Sequence, residues 1–320
     1  MDLGIDDIER AAAALRGVTT QTRLQSSRTF SVLANADIWL KPECLQKTGS
    51  WKLRGAYTTL VRLSEGERAR GVVTFSAGNW GQGVAYAAAL LGVTATVVLP
   101  AGVTQAKLNA IVAYGANVVI HGGDSEDLFA KARDIEARSG MLLLNPLDNR
   151  DMMVGAATLA LEITNERTDI DAIVVPVGGG ALIAGIAAYV RLRHPNVRVY
   201  GVQPEGACAV HASLRAGTLV ELDRVETVAD GLAVKRPSAD TVALISRTVD
   251  DVVLVRDEEI KAAMYLLLER AKLLVEPSGA ASLAAVLNAR IPAIMGQSVA
   301  VVLTGGNANL ALLRDILATT

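Results

Sequence analysis

Short apolar runs alternate with segments of helical periodicity along most of this chain. Helices are predicted where apolar residues recur every three to four positions, and strands where short apolar runs stand between turn-forming residues. The first series comprises helix 5–15, strand 36–40, helix 53–63, strand 71–75, helix 83–91, strand 95–99, helix 105–114, strand 117–120 and helix 125–139. A second series comprises strand 172–176, helix 182–192 and strands 197–202 and 299–303. Such alternation is typical of parallel sheets whose strands are joined through helices.

A polar, turn-rich stretch separates the two series. Residues 145–150 read Asn-Pro-Leu-Asp-Asn-Arg, a composition typical of loops. We therefore expect the chain to cross from one domain to another near this stretch. The predicted fold class is α/β, with two domains that each contain an open, mostly parallel twisted sheet flanked by helices.

Composition and charge exclude several classes of partner. With 320 residues, of which 51% are hydrophobic, the chain is long enough for two packed domains. The net charge is -2, and the 31 basic and 33 acidic residues are scattered, so we expect neither a nucleic-acid nor a membrane partner. Cys44 and Cys208 belong to no metal or disulfide motif, and the acidic amino terminus lacks the features of a signal peptide. Together these features predict a cytoplasmic protein.

One lysine occupies an unusual position. Lys52 stands between the apolar residues Trp51 and Leu53, directly after the turn-forming residues 48–50. An amine that is partly removed from water has a lower pKa, which makes it available as a nucleophile toward a carbonyl carbon. The first hypothesis is therefore that Lys52 forms a Schiff base. The alternative is a surface lysine whose aliphatic stem packs on the protein while its amine stays in water.

A run of small residues follows one predicted buried strand and precedes a predicted helix. Gly178, Gly179, Gly180 and Ala181 leave the backbone N–H groups accessible, and the following helix directs the positive end of its dipole toward them. This pattern favours the binding of a phosphate group. The alternative is a tight connection without a ligand. The run matches neither the dinucleotide fingerprint nor the phosphate loop of nucleotide hydrolases.

Two further turns follow strands in the same way. Residues 76–83 read Ser-Ala-Gly-Asn-Trp-Gly-Gln-Gly and offer a hydroxyl, a side-chain amide and backbone donors, which suit a small carboxylate or a ring oxygen. The alternative for this turn is a structural role in which Asn79 caps the next helix. Thr304, in the sequence Leu-Thr-Gly-Gly-Asn, stands at the carboxyl end of the last strand, where open α/β sheets bind ligands.

Together these motifs resemble those of one enzyme family. The Ser-x-Lys-x-Arg-Gly-Ala segment, the Ser-x-Gly-Asn-x-Gly-Gln-Gly turn, the glycine-rich loop after Pro-Val and the final hydroxyl-Gly-Gly-Asn turn occur in the order found in fold-type II pyridoxal phosphate enzymes. The resemblance is greatest to the group of serine/threonine dehydratases (threonine ammonia-lyases) and serine racemases, and it spans nearly the whole chain. It implies a fold similar to that of the tryptophan synthase β subunit, with pyridoxal 5′-phosphate as the cofactor.

The resemblance also implies roles for individual residues. Lys52 is the implied catalytic residue and holds the cofactor as a Schiff base, while Asn79 and Thr304 contact the 3-oxygen and the nitrogen of the pyridine ring. The other residues implied to bind the cofactor are Gly178, Gly179, Gly180 and Ala181 around the phosphate, with Gly231 and Glu276 lining the site. The residues implied to bind the substrate are Ser76, Ala77, Gly78, Asn79 and Trp80. In the implied arrangement, residues 1–46 with 149–320 form a large cofactor-binding domain, and residues 47–148 form a small domain on the substrate side.

The implied reaction is the α,β-elimination of water from a β-hydroxy amino acid such as threonine or serine. Lys52 would remove the Cα proton, the β-hydroxyl would leave, and hydrolysis would release a 2-oxo acid and ammonia. Thr304 in place of an aspartate should leave the pyridine nitrogen unprotonated, which favours prompt loss of a β leaving group. Two alternatives stay open: a β-replacement enzyme of the cysteine synthase type, and a ligand-binding relative without catalysis. The family also implies a homodimer.

Four departures from the family pattern refine these expectations. Ala77 replaces the serine that serves racemases as a second base, so we expect weak racemisation. Trp80 replaces the usual histidine and alters the wall beside the substrate, and Ala181 replaces a fourth glycine. Gln203 and Ala209 stand where metal-binding members carry acidic ligands, so no dedicated metal site is expected. Because little sequence follows the last glycine turn, we also expect no regulatory domain and no feedback control by isoleucine.

Overall fold

The computed structural model describes residues 3–76, 78–146 and 149–318. Within these ranges the chain forms ten strands and fourteen α-helices. The strands are β1 (Gln25–Ser26), β2 (Asp37–Pro42), β3 (Val72–Phe75), β4 (Ala95–Pro100), β5 (Asn117–His121), β6 (Leu142–Leu144), β7 (Ala172–Pro176), β8 (Arg198–Pro204), β9 (Asp251–Val255) and β10 (Ser298–Leu303). The helices are α1 (Ile5–Ala14), α2 (Arg28–Ala34), α3 (Lys52–Val61), α4 (Glu65–Arg70), α5 (Asn79–Leu91), α6 (Gln105–Ala113), α7 (Ser125–Ser139), α8 (Arg150–Glu166), α9 (Ala181–Arg193), α10 (Ala209–Ala216), α11 (Ala239–Thr248), α12 (Asp257–Leu266), α13 (Pro277–Leu287) and α14 (Leu310–Ala318).

The strands form two separate sheets. The large sheet has the order β1-β2-β10-β7-β8-β9, and the small sheet has the order β5-β4-β3-β6. The pairings between these strands are parallel, except that β1 runs antiparallel to β2. The carboxyl ends of the parallel strands therefore lie along one edge of each sheet. The prediction of an α/β fold with open, mostly parallel sheets flanked by helices is confirmed.

The two sheets draw on different parts of the chain. The strands of the small sheet lie between residues 72 and 144, inside the range 47–148 that was predicted to form the small domain. The strands of the large sheet all lie outside that range. This distribution is consistent with the predicted division, which stays a prediction because its boundary at residue 148 lies outside the described residues.

The central strands of the large sheet are covered by helices on both faces. β7 is buried at every position, as expected for a parallel strand between two helical layers. Ile173 and Val175 pack in the core that includes α8 and α9, whereas Val174 packs in the core that includes α13. Among the described residues, no helix combines the length and the apolar composition that a membrane crossing requires.

Helix α5 begins four residues earlier than predicted. It was expected to begin at Gly83 but begins at Asn79, so the second half of the predicted turn is helical. The glycines in this helix allow close contacts. A Cβ atom on Gly81 would lie 2.7 Å from the carbonyl oxygen of Ser76, and one on Gly83 would lie 3.2 Å from the carbonyl carbon of Lys52. Gly83 therefore allows α5 to approach the start of α3 closely, whereas Gly81 leaves room for the backbone of Ser76.

Candidate active site

A cavity of about 310 Å³ collects the residues predicted to form the site. Its walls come from the segments that follow β3, β7 and β10 and from the start of α3. The predicted site residues that line it are Lys52, Ser76, Gly78, Asn79, Trp80, Gly178, Gly179, Gly180, Ala181, Gly231, Glu276 and Thr304. Ala77 lies outside the described residues. Segments more than 250 residues apart in sequence thus meet around one space.

Lys52 is the first residue of α3, and the start of this helix is tied to the last glycine turn. The N–H group of Trp51 donates to the carbonyl oxygen of Thr304 at 3.0 Å, and Ser50 pairs with Gly305 through an isolated β-bridge. Burial lowers the pKa of Lys52 to about 8, against the opposing effect of Glu276. At pH 7 roughly a tenth of this amine is therefore unprotonated and able to act as a nucleophile.

The glycine-rich loop leads directly from β7 into α9. Gly180 has a φ of +97°, a left-handed conformation that favours glycine, and a Cβ on Gly178 would lie 3.1 Å from the carbonyl oxygen of Gly231. The N–H group of Gly231 donates in turn to the hydroxyl of Ser278 at 2.9 Å. Among the described residues, no side chain caps α9 at Gly180. The first N–H groups of this helix are therefore available to an anion in the cavity.

A chain of hydrogen bonds orients the side chain of Asn79. Its Nδ2 atom donates to Oε1 of Glu276 at 2.6 Å, and its Oδ1 atom accepts from Nδ2 of Asn307 at 2.7 Å. The same Asn307 nitrogen donates to the carbonyl oxygen of Thr48 at 2.9 Å. Gly305 makes room for this arrangement, because a Cβ atom there would collide with the carboxylate of Glu276. The amide of Asn79 is thus held in one orientation at the cavity wall.

Glu276 is a buried carboxyl group in the same wall. Burial raises its pKa to about 7, and the negative charge of Asp230 acts in the same direction, while the bond from Asn79 and the charges of Lys107 and Lys52 oppose the shift. Around neutral pH this group can therefore either hold or release a proton.

The raised pKa of Glu276 predicts a pH dependence of stability in the ligand-free protein. The folded state binds the proton more tightly than the unfolded state, so the resulting stabilisation is complete below pH ~4.5 and is lost as the pH rises to about 7. A shift of this size means that this group contributes on the order of 3 kcal/mol to the free energy of unfolding at low pH. Thermal unfolding between pH 4.5 and 7.5 should show a flatter profile for Glu276→Gln than for the wild type. The exposed residue Glu258 provides the control, since Glu258→Gln should keep the wild-type profile, and parallel profiles for all three proteins would contradict this prediction.

Trp80 forms part of the wall and is itself only 2% exposed. Its indole N–H group donates to the hydroxyl of Thr74 at 2.8 Å, and that hydroxyl donates to the carbonyl oxygen of Leu144 at 2.7 Å. Both contacts lie in the small sheet. The side chain that departs from the family pattern is therefore anchored through β3 to β6, and its indole nitrogen is directed away from solvent.

Some cavity residues were not predicted from the sequence. Lys107 and Asp230 line the cavity and form an ion pair at 2.9 Å that joins α6 to the segment preceding Gly231. They are 123 residues apart, and Lys107 stands in an otherwise ordinary helix, so no local pattern indicates the contact. No role was predicted for Ser278 or Asn307, and their hydrogen bonds are evident only in the folded chain.

Comparison with known proteins places the chain in a family. A family model described as pyridoxal-phosphate dependent enzyme matches residues 15–305. The L-threonine ammonia-lyase of Thermotoga maritima is 40% identical over 98% of this chain and 78% of its own length, and the L-threo-3-hydroxyaspartate ammonia-lyase of a Pseudomonas species is 36% identical over 97% of both chains. The structure of maize serine racemase superposes with a TM-score of 0.94 at 31% identity, covering 100% of this chain and 98% of that one. The resemblance stated from the motifs is confirmed: this chain belongs to the family of pyridoxal-phosphate dependent enzymes.

Proposed function

We propose that this protein is a pyridoxal-phosphate-dependent ammonia-lyase that removes water from a β-hydroxy amino acid and yields a 2-oxo acid and ammonia. One observation carries the proposal. A lysine with a lowered pKa shares a cavity of about 310 Å³ with an uncapped glycine-rich helix start, in a chain whose relatives include ammonia-lyases. Threonine, serine and 3-hydroxyaspartate are the substrates that we consider first.

The residues of the cavity fit the cofactor of the family. The loop from Gly178 to Ala181 offers backbone N–H groups and the positive end of α9 to a phosphate. Lys52 lies on the lining of the same cavity and offers an amine to an aldehyde carbon. Asn79 presents a fixed amide, and Thr304 presents a neutral hydroxyl. The same cavity thus supplies donors for an anion, an amine, and two polar side chains for ring contacts, which supports pyridoxal 5′-phosphate as the cofactor.

In the proposed mechanism, the residues of the cavity bind and orient the substrate and transfer protons. When bound, pyridoxal 5′-phosphate supplies an aldehyde carbon that an amine can attack and a ring that accepts the electron pair released at Cα. The turn around Ser76 and Gly78 binds the substrate carboxylate, to which the hydroxyl of Ser76 can donate while it accepts from the N–H group of Gly78 at 3.2 Å. Lys52, once its amine is free, takes the Cα proton and carries it within the cavity. Lys52 can then deliver this proton to the β-hydroxyl, which departs as water, and hydrolysis of the remaining unsaturated amine yields the 2-oxo acid and ammonia.

The neutral groups in the wall determine which reaction is favoured. The hydroxyl of Thr304 places no negative charge at its position, so it does not stabilise a protonated ring nitrogen. The negative charge released at Cα is then stabilised less strongly, which favours immediate loss of the β-hydroxyl. The low exposure of Trp80 and Glu276 limits the access of water to this side of the cavity.

The proposal also covers the oligomeric state and the cellular location of the protein. We propose a homodimer, as the family implies, and a cytoplasmic location, which the two free cysteines support. Size-exclusion chromatography with light scattering tests the first of these.

A panel of substrates tests the proposed reaction. Purified holoenzyme is incubated separately with threonine, serine, 3-hydroxyaspartate and phenylserine, and 2-oxo acid and ammonia are measured together. We expect equal amounts of both products from at least one substrate. Absence of 2-oxo acid from all four would contradict an ammonia-lyase. Formation of a β-thiol amino acid that depends on added sulfide would instead support the β-replacement reaction.

A further inference from the structure

Four charged side chains form a cluster behind the lysine helix, away from the cavity. The side chains of Arg54, Lys41 and Glu43 have no exposed surface, and that of Glu162 is one-fifth exposed. We call these four residues the Arg54 cluster. It contains two cations and two anions, so its formal charge is balanced. The catalytic mechanism does not use any of them.

The guanidinium of Arg54 uses every donor that it has. Its Nε and Nη2 atoms donate to the two carboxylate oxygens of Glu43 at 2.8 and 3.0 Å. Its Nη1 and Nη2 atoms donate to the two oxygens of Glu162 at 2.6 and 2.9 Å, and Nη1 also donates to the hydroxyl of Thr158 at 3.2 Å. Five N–H groups therefore make five bonds. Lysine has donors on a single nitrogen and therefore cannot form these two bidentate contacts, one with each carboxylate.

The cluster joins α3 to segments that are distant in sequence. Glu43 follows β2 directly, and Glu162 lies on α8. Lys41, at the end of β2, donates to Glu162 at 2.7 Å and to the carbonyl oxygen of Thr22. The large sheet, α8 and the amino-terminal segment are thus all connected to α3 through Arg54.

Arg54 and Lys52 project from nearly opposite sides of the same helical turn. Two residues correspond to about 200° around an α-helix. One side chain therefore lines the cavity, while the other enters the cluster. Close backbone contacts surround this turn, since a Cβ on Gly155 of α8 would lie 2.5 Å from the carbonyl oxygen of Arg54. Rotation of α3 about its axis would break the bonds of Arg54 and move Lys52.

Burial of four charges is an inefficient way to stabilise a fold. The loss of hydration offsets much of the attraction between the ions, and apolar replacements of such clusters are often no less stable. What a fully bonded guanidinium provides is a fixed orientation. We propose that Arg54 is a positioning residue, which holds the first turn of α3 so that the amine of Lys52 is placed for its reaction. This inference rests on the proposed function, because it assigns to Lys52 the role given there.

Two conservative variants test the inference, with kcat and KM measured in the holoenzyme and the formation of the Schiff-base band measured after the cofactor has been removed. Arg54→Lys keeps the charge and loses both bidentate contacts. Glu162→Gln keeps the side-chain shape and weakens the bidentate contact with residue 162. We expect kcat to fall at least tenfold with KM changed less than threefold, and we expect the rate at which added cofactor forms the visible Schiff-base band to fall by a similar factor. Arg191→Lys is the matched control. Arg191 pairs with Asp250 at 2.7 Å at the far end of α9, so this variant should keep both rates.

The outcomes separate positioning from simple stability. A purely structural role would lower the melting temperature and leave kcat and the rate of band formation within twofold of the wild type at 20 °C, which would overturn the inference. Failure of both variants to fold would also overturn it, because the cluster would then be a stability element. If the wild type itself forms no band and no 2-oxo acid, the proposed function fails instead.

Discussion

Replacing Lys52 by alanine is expected to lower turnover by a factor of at least about 10³ and to remove the visible absorbance of the bound cofactor. The variant lacks both the amine that attacks the cofactor and the base that takes the Cα proton, and a positioned base alone contributes about 10² to 10⁴ in rate. Absorbance spectra and initial rates of 2-oxo acid formation measure the two losses. The change removes a side chain at the cavity wall, so we expect the protein to stay folded.

A neighbouring lysine serves as the matched control for this variant. Lys47 lies five residues before Lys52, is exposed, and donates to the carbonyl oxygen of Gly17. Lys47→Ala should keep the visible absorbance and the wild-type rate. A Lys52→Ala protein that kept either property would show that another group binds the cofactor or removes the proton.

Replacing Gly180 by alanine is expected to weaken cofactor binding at least tenfold. At a φ of +97° an alanine is strained by roughly 1–3 kcal/mol, and its Cβ would lie 2.6 Å from Cδ1 of Ile245 and 2.8 Å from Cγ2 of Thr241. The loop relieves this strain by shifting, which moves the N–H groups at the start of α9. A loss of about 1.4 kcal/mol in binding free energy already corresponds to a tenfold change in Kd. Titration of the ligand-free protein with cofactor measures this Kd.

Gly217 separates the effect on the loop from general backbone strain. It also has a left-handed backbone, with a φ of +67°, but it follows α10, and an added Cβ would meet nothing within 4 Å. Gly217→Ala should therefore lower the melting temperature without changing the Kd. Equal loss of cofactor affinity in both variants would contradict a specific role for the loop.

The parts of the site that could be predicted from sequence are the chemically distinctive residues that directly follow a predicted strand. The loop from Gly178 to Ala181, the turn around Asn79 and Thr304 each follow a short apolar strand closely. Such local patterns indicate both the element and the edge of the sheet at which its side chains lie. The resemblance then added the order of the motifs, and the described residues to which it assigned a role all line one cavity.

Other features depend on tertiary contacts that have no local signal. α8 was not predicted, because the polar, turn-rich stretch at residues 145–150 was interpreted as a crossing between domains and the helix that follows it was not assigned. Gly81 was interpreted as a turn residue, whereas it lies inside α5 and its missing Cβ leaves room for the carbonyl oxygen of Ser76. Arg54 meets Glu43 and Glu162, which are 11 and 108 residues away, so its surroundings cannot be inferred from its neighbours in sequence.

The central claim is that Lys52 carries the cofactor, and chemical trapping tests it most directly. The purified holoenzyme is reduced with borohydride, which converts a Schiff base into a stable secondary amine, and the protein is then digested and analysed by peptide mass spectrometry. We predict that the added mass of the reduced cofactor is found on the peptide that contains Lys52. Its location on another lysine, such as Lys41 or Lys107, or its absence from every lysine peptide would contradict the claim.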